Sequence, residues 1–270
     1  MKTLTFLLVA FSLNCFSQTA EEYNKKGSLK IEIGDYKGAI QEFNKSIEIA
    51  PKEPEGYIGR AISKRALRDF IGAIEDFSKT IFYFPRFQDS HSIFNMRGLA
   101  KTEVKDYKGA IMDFNQAIKM DSTESEYYYN RGNAIGNLED YKGSITDFNK
   151  AIELNPKDPN FYCNRGFSKL NLEDYRGAIA DLNKAIELDP QYPNFYYYRG
   201  RSKFKLKDDR GAIADFNKAI ELDPKDASYY MMRGLAKLSL NQKDSACLDF
   251  SKAGELGYDE AYETIKKICN

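Results

Sequence analysis

Apolar and polar residues alternate with a helical period along most of the chain. Residues 209–222, DRGAIADFNKAIEL, place small and apolar side chains three, four and seven positions apart, and these are Ala212, Ile213, Phe216, Ala219 and Ile220. This spacing predicts an amphipathic helix. Asp208 precedes the helix and can accept hydrogen bonds from its free N–H groups. Pro224 marks its end, because proline cannot continue a helix.

A six-residue pattern recurs seven times. It reads DYKGAI at 35–40, DFIGAI at 69–74, DYKGAI at 106–111, DYKGSI at 140–145, DYRGAI at 174–179, DDRGAI at 208–213 and QKDSAC at 242–247. Successive copies are 34, 37, 34, 34, 34 and 34 residues apart. A fixed period of this length predicts a stacked two-helix unit. One such unit cannot bury its apolar face alone, so neighbouring units must stack.

Small and aromatic residues recur at fixed places in each unit. The first helix carries Gly27, Ala61, Gly98, Gly132, Gly166, Gly200 and Gly234. The second carries Ala39, Ala73, Ala110, Ser144, Ala178, Ala212 and Ala246. Aromatic residues lie one turn before the glycines, and a Phe or Leu lies one turn after the alanines. Glycine inside a helix costs about 1 kcal/mol relative to alanine, which close helix packing can offset. We therefore interpret the aromatics as core.

The order aromatic, Gly, Ala, Phe, Ala, Pro over 34 residues resembles the tetratricopeptide repeat (TPR). The resemblance implies an all-α, right-handed superhelical solenoid of seven helix-turn-helix repeats plus a C-terminal capping helix. The expected segments are a signal peptide at 1–17, repeats at 20–53, 54–90, 91–124, 125–158, 159–192, 193–226 and 227–260, and a capping helix at 261–270. The second repeat contains a three-residue insertion.

The chain departs from the family pattern just before each glycine. The family's leucine is replaced by Lys26, Arg60, Arg97, Arg131, Arg165, Arg199 and Arg233. An acidic residue precedes each Phe or Leu of the second helix: Glu42, Asp76, Asp113, Asp147, Asp181, Asp215 and Asp249. We predict an ion-pair ladder that joins the two helices of every repeat, with the arginine stems packed on aromatic rings. The alternative is a basic stripe that binds an anionic ligand.

The first residues, MKTLTFLLVAFSLNCFSQ, have the lysine, apolar core and small residues of a secretory signal peptide cut after Ser17. A lipoprotein signal that attaches lipid to Cys15 is the alternative, although Asn14 is bulkier than the residue such signals prefer. The expected location is the periplasm or the outside of the cell. Export permits disulfides, and we predict one between Cys247 and Cys269, with Cys163 unpaired.

Charge and motifs argue against several functions. The 40 basic residues equal the 40 acidic ones, so no basic excess points to nucleic acid, and no other apolar run could span a membrane. Phosphate-binding loops and C-x-x-C pairs are absent from the sequence, which has one histidine. We therefore predict a non-catalytic protein with no cofactor and no metal.

The family resemblance implies a groove lined by the first helices. Its expected partner-binding residues are Tyr129, Asn133, Phe167, Tyr197, Arg201, Phe204, Met231 and Leu235. Corresponding positions include Asn24, Ser28, Ile31, Ile58, Ile62 and Asn95 in the first three repeats, and Cys163 and Leu170 in the fifth. Some of these residues could instead pack between repeats.

The predicted function is that of a protein-protein interaction scaffold for a peptide or partner protein in the cell envelope or outside the cell. The alternative is a carbohydrate or small-ligand module that uses the aromatic residues. The insertion gives a possible second contact loop, with Phe84, Arg86, Phe87 and His91. The alternative is that its aromatics only fill a gap.

Overall fold

A computed structural model describes residues 19–84 and 90–269. These residues form fifteen helices and no strand, so the predicted all-α class is confirmed. The predicted signal peptide lies outside the described residues. The chain divides into two compact units, Met1–Ser122 and Thr123–Asn270, which are described separately.

The first unit contains three pairs of helices. They are α1 (Ala20–Glu32), α2 (Tyr36–Ile49), α3 (Pro54–Ala66), α4 (Phe70–Tyr83), α5 (Ser90–Glu103) and α6 (Tyr107–Met120). Each first helix packs against the second helix of its own repeat, and α3 and α5 also pack against the second helix of the preceding repeat. Helices α1 and α3 also contact each other, whereas α3 and α5, which flank the insertion, make no comparable contact in the described residues.

The second unit contains four pairs and a final single helix. They are α7 (Ser125–Asn137), α8 (Tyr141–Leu154), α9 (Pro159–Asn171), α10 (Tyr175–Leu188), α11 (Pro193–Lys205), α12 (Asp209–Leu222), α13 (Ala227–Ser239), α14 (Lys243–Glu255) and α15 (Glu260–Ile268). The first helices α7, α9, α11 and α13 contact one another in sequence. They form a continuous surface, which we call the first-helix face of the second unit.

The recurrent hexapeptide is a helix cap. In six copies the aspartate precedes the second helix, and its Oδ1 accepts a hydrogen bond of 2.9–3.0 Å from the glycine N–H three residues later. A Cβ on these glycines would lie 2.1–2.4 Å from the aspartate Oδ2. Glycine is therefore required for the cap to close this tightly. Gln242 makes no such bond in the seventh copy.

First-helix glycines give space to the aromatic residue of the second helix. A Cβ on Gly200 would lie 2.7 Å from the Phe216 ring, and one on Gly98 would lie 2.6 Å from the Phe114 ring. Phe114 and Phe216 are fully buried. The predicted close approach is confirmed, and the aromatics belong to the core as expected.

The ion-pair ladder is confirmed in six repeats. Arginine Nε and Nη2 donate to both oxygens of the paired aspartate at 2.5–2.9 Å in the pairs Arg60–Asp76, Arg97–Asp113, Arg131–Asp147, Arg165–Asp181, Arg199–Asp215 and Arg233–Asp249. Each guanidinium also lies 5.4–5.7 Å from the centre of the preceding aromatic ring. This pairing argues against a free basic stripe at these positions.

The ladder differs from the prediction in the first repeat. Glu42 pairs with Lys30 at 3.8 Å and with Lys45 at 3.7 Å, while Lys26 lies over the Tyr23 ring instead. The shorter lysine head group cannot form the two parallel bonds that arginine makes.

The sequence did not indicate how many partners each carboxylate has. A lysine one turn after the arginine also reaches the aspartate at 2.8 Å in five repeats: Lys64, Lys101, Lys169, Lys203 and Lys237. Four arginines in addition donate to an asparagine on the preceding second helix, and the acceptors are Asn44, Asn149, Asn183 and Asn217. Each such arginine therefore joins three helices.

The last repeat is closed by α15. Tyr262 of α15 packs over Gly254, where an added Cβ would be 2.8 Å from the ring. Ala261 is fully buried beside Ala253 and Tyr230. The structure joins Cys247 of α14 to Cys269, just after α15, by a disulfide with a Cα–Cα distance of 5.9 Å. Packing and a covalent bond therefore hold α15 on the final repeat.

Candidate functional site

The first-helix face of the second unit brings three polar groups together. Asn164 Nδ2 on α9 donates to Asn133 Oδ1 at 2.7 Å and to Tyr129 Oη at 3.1 Å, both on α7. Because these bonds use both amide hydrogens of Asn164, its Oδ1 remains available as an acceptor. Asn133, whose Oδ1 is occupied, directs one Nδ2 hydrogen to Tyr129 and keeps the second as a donor.

Tyr129 stays neutral in this arrangement. Burial raises the pKa of Tyr129, and hydrogen bonding with Asn133 offsets part of the increase. The hydroxyl therefore keeps its proton at physiological pH and can donate it.

A pocket of about 250 Å³ lies beside these groups. Its lining residues are Gly132, Asn133, Gly136, Asn137, Tyr141, Phe148, Asn164, Phe167, Ser168 and Tyr198. The Phe167 and Tyr198 ring centres are 5.1 Å apart, and Tyr141 meets Phe167 edge-on at 6.5 Å. We call this the amide-aromatic pocket. It offers an apolar surface beside one amide donor and one amide acceptor.

Two of the predicted groove residues line this pocket, namely Asn133 and Phe167, and Tyr129 adjoins it. Tyr197 and Phe204 are half-buried and pack in part against the buried cluster of Ala212, Phe216 and Ala236. Their ring atoms therefore contribute to the packing between two repeats.

The remaining predicted groove residues lie further along the face. Arg201 stacks on Tyr197 with its guanidinium 5.6 Å from the ring centre. Met231 packs near Tyr230 and Ala253, and Leu235 is half-buried. Cys163 and Leu170 are buried, so they pack between helices. Burial raises the pKa of the Cys163 thiol to about 12, which makes it a poor nucleophile.

The proposed second contact loop is described only at its edges. Phe84 ends α4, with its ring centre 6.3 Å from that of Tyr83. His91 lies half-buried in the first turn of α5. Arg86 and Phe87 lie outside the described residues.

Sequence reasoning missed Asn164, Tyr198 and Tyr141. Asn164 and Tyr198 occupy the second position after the repeated aromatic, whereas only the first position was selected. Asn164 and Tyr198 occupy the same site of consecutive repeats, but their place in the pocket depends on the contact between neighbouring first helices. Tyr141 is the second residue of the hexapeptide, a pattern that we interpreted only as part of helix capping and packing.

The first unit has a different first-helix surface. A concavity of about 1340 Å³ lies between α1 and α3, and Ile31, Ile58 and Ile62 line it. Charged residues and one phenylalanine also line it, namely Glu21, Lys25, Glu53, Glu55 and Phe43. Asn24 lies there with its Oδ1 buried and without a hydrogen bond in the described residues. This surface lacks the aromatic pairs of the amide-aromatic pocket.

The described residues contain no group of three or more His, Cys, Asp or Glu side chains arranged to hold a metal ion. None of the described helices combines the length and apolar character that crossing a bilayer requires.

Family models decide the classification. Models of the TPR repeat match residues 137–172 and 169–207, and tetratricopeptide repeat models match 193–226, 20–53 and 91–124. Together they cover more than half of the chain. The chain belongs to the tetratricopeptide repeat family. Proteins of this family are generally non-catalytic interaction scaffolds. No curated protein sequence matches the chain.

Solved TPR structures share this fold. A tetratricopeptide repeat protein from Parabacteroides merdae aligns with a TM-score of 0.72 and 23% identity, covering 93% of this chain and 99% of its own. The C-terminal part of a TPR protein from Cytophaga hutchinsonii aligns at 0.69 and 21%, covering 89% and 98%. YrrB, described as a TPR protein with an unusual peptide-binding site, aligns at 0.59 and 21%, covering 73% and 97%.

Proposed function

We propose that this TPR protein is a non-catalytic scaffold that binds an extended peptide or a peptide segment of a partner protein. The binding surface is the first-helix face of the second unit, centred on the amide-aromatic pocket. One observation carries the proposal. The Asn133–Asn164 pair presents one spare donor and one spare acceptor beside the Phe167 ring.

This arrangement matches the chemistry of a peptide backbone. An extended residue offers one N–H and one C=O, which Asn164 Oδ1 and Asn133 Nδ2 can satisfy. Its side chain can then contact Phe167, Tyr141 and Tyr198, since aromatic rings contribute large contact areas at binding surfaces. YrrB, a structural neighbour described by its peptide-binding site, supports the assignment by analogy.

A binding assay on defined variants tests the proposal. An array of synthetic peptides selects the tightest binder, and isothermal titration then measures its Kd for the wild type and for N133A/N164A. We expect a loss of about 5- to 150-fold, because the two substitutions remove two hydrogen bonds that contribute about 0.5–1.5 kcal/mol each. Asn160→Ala is the control, since Asn160 bonds to Asp158 outside the pocket. Equal affinity of all three proteins would contradict the assignment.

Carbohydrate is the second candidate ligand, because aromatic rings such as Tyr198 and Phe167 also stack on sugars. The same titration with an oligosaccharide panel separates the two. Binding of an oligosaccharide that is lost in Phe167→Ala, with no peptide bound, would replace the peptide by a sugar.

We further propose that the protein acts in the cell envelope or outside the cell. The apolar 1–17 segment and the position of Cys247 and Cys269 support this, since disulfides persist in oxidising compartments. Intact mass measurement of protein from its native cells provides the test. A mature chain that begins at Gln18 is expected, whereas an uncut chain in the cytosol would contradict export. A chain that begins at Cys15 with attached lipid would support the lipoprotein alternative.

A further inference from the structure

A row of aromatic rings runs along the amide-aromatic pocket. Its successive members are Tyr141, Phe167, Tyr198 and Tyr197, with ring centres 6.5, 5.1 and 5.4 Å apart. We call these four side chains the ring row. All of them are half-buried, so each ring packs on the protein with one part and faces solvent with another. The ring row can therefore contact more than one residue of a ligand.

The apolar walls of the pocket consist of aromatic side chains. Four of its lining residues are Phe or Tyr, and the others are glycine, asparagine and serine. Among the described residues, the lining thus contains no aliphatic and no charged side chain, unlike the concavity of the first unit, where Ile58 and Glu55 supply both kinds. An uncharged groove with aromatic walls is the kind of surface on which proline rings dock.

The polar groups of the pocket favour a ligand with free carbonyl groups. The hydroxyls of Tyr141 and Tyr198 make no hydrogen bond within the described part of the chain. Burial raises the pKa of Tyr198, so its hydroxyl keeps its proton and can donate it. Asn133 retains one N–H donor and Asn164 one acceptor, and Asn137 adds one of each. When both hydroxyls donate, donors outnumber acceptors.

Proline matches both properties of this surface. A proline residue has a carbonyl acceptor but no N–H, and the carbonyl groups of a polyproline II helix make no internal hydrogen bonds. This helix brings every third residue to the same side, about 9 Å apart, so two prolines one turn apart can both lie along the ring row. Because the conformation exists before binding, little conformational freedom is lost in the complex.

From these observations we propose that the ligand of the amide-aromatic pocket is a proline-containing segment in the polyproline II conformation. Its prolines contact the ring row, and a residue between them places its N–H at Asn164 Oδ1. Carbonyl groups of the ligand accept hydrogen bonds from the Tyr198 hydroxyl and from Asn133 Nδ2. This inference rests on the proposed peptide-binding function and adds the class of peptide.

Matched peptides provide the test. The probes are fluorescein-labelled, C-terminally amidated decapeptides without charged side chains, in which two prolines are separated by two residues and Ala, Ser or Thr fills the other positions. Three further sets replace both prolines by Ala, by Leu or by N-methylglycine, which lacks the N–H as proline does. Fluorescence anisotropy measures Kd for the wild type, F167L and Y198F. Tyr107→Phe is the matched control, because Tyr107 has the place of Tyr141 in the third repeat.

We expect the wild type to bind the best Pro peptide about 5 to 100 times more tightly than its Ala counterpart, the range of two aromatic contacts. The Leu peptide should bind more weakly than the Pro peptide, and the N-methylglycine peptide should lie between Pro and Ala. F167L should reduce the preference for Pro over Leu about threefold or more, because it replaces a ring by an aliphatic group. Y198F should weaken Pro binding about 2- to 12-fold through its lost hydrogen bond, whereas Y107F should bind like the wild type.

Two results would overturn the inference in different ways. Equal binding of the Pro, Ala and Leu peptides, or tighter binding of Leu, would remove the proline class, and its loss in N133A/N164A would leave peptide binding intact. No binding of any peptide set or of any peptide in the array would overturn both proposals. Circular dichroism of F167L guards against misfolding, and Y198F, which keeps the ring, gives an independent answer if F167L is unstable.

Discussion

The two units use the same framework but present different first-helix surfaces. Asp76 in the first unit and Asp215 in the second each pair with an arginine at 2.6 Å and a lysine at 2.8 Å. In contrast, the first unit offers an aliphatic concavity around Ile58 and Ile62, whereas the second offers amides and aromatic rings around Asn164 and Phe167. The framework positions are thus shared by the two units, and we propose that the variable first-helix positions account for recognition.

The largest effect is expected from substitutions that remove an ion pair of this shared framework. Asp76→Ala and Asp215→Ala should each cost about 3–5 kcal/mol of unfolding free energy, because each leaves a partly buried arginine and a lysine unpaired. Glu42→Ala should cost about 1 kcal/mol or less, since the lysine nitrogens that pair with Glu42 lie 3.7–3.8 Å from its carboxylate oxygens. Urea denaturation followed by circular dichroism measures all three. Similar costs for Glu42→Ala and Asp76→Ala would argue against the special strength of the arginine pairs.

The second-largest effect is expected from removal of the disulfide, which should loosen the C-terminal helices and leave the N-terminal helix unchanged. The Cys247–Cys269 disulfide closes a loop of 22 residues and so restricts the unfolded chain. Its loss should therefore cost about 3 kcal/mol of unfolding free energy. Dithiothreitol should therefore increase hydrogen exchange in α14 and α15 but leave α1 unchanged. The C247S/C269S variant should show the faster exchange with or without the reductant. Unchanged exchange after reduction would mean that packing alone holds α15.

A smaller effect separates glycines that face aromatic rings from one that faces leucine. Gly98→Ala and Gly200→Ala should each cost about 1–3 kcal/mol, because the added methyl overlaps a phenylalanine ring. Gly166→Ala should be nearly neutral, because its Cβ would be 3.1 Å from Leu182 Cγ and alanine favours the helix by about 1 kcal/mol. Thermal unfolding gives the order. Equal losses at Gly166 and Gly200 would contradict the packing argument.

The smallest expected effect is a pH dependence in the first unit. Burial alone would raise the pKa of Asp76, but hydrogen bonds and charges from Arg60 and Lys64 outweigh it and lower the pKa. A lowered folded-state pKa stabilises the fold above the unfolded value, near about 3.9, and this contribution is lost as the pH falls through the folded value. Wild-type stability should therefore fall more steeply than that of Asp76→Asn between about pH 5 and pH 2. Parallel curves would contradict this linkage.

Most of the framework could be predicted from the sequence because it is periodic. The ladder arginines, the capping aspartates and the glycine-phenylalanine contacts each recur at a fixed position, so one copy explains the others. The amide-aromatic pocket could be predicted only in part. Asn133 and Phe167 followed from family geometry, whereas Tyr198 and Asn164 depend on how neighbouring helices meet, which a single repeat does not contain.

The same limit applies to the placement of the Tyr197 and Phe204 side chains. Both are large and apolar at positions expected to face a groove, and both are half-buried against Ala212, Phe216 and Ala236 of α12 and α13. Their side chains are long enough to reach the core of the next repeat, and burial of apolar area favours that position. The sequence alone does not separate these two placements.

Side-chain amide NMR tests the central claim most directly. A protein labelled with ¹⁵N-asparagine is titrated with the tightest peptide from the array, and each Nδ2H₂ signal is assigned by single substitution. We predict that the signals of Asn133 and Asn164 shift together and saturate at the Kd from titration, while that of Asn24 in the first unit stays in place. Shifts confined to Asn24, or none at Asn133 and Asn164 when the peptide is bound, would contradict the account.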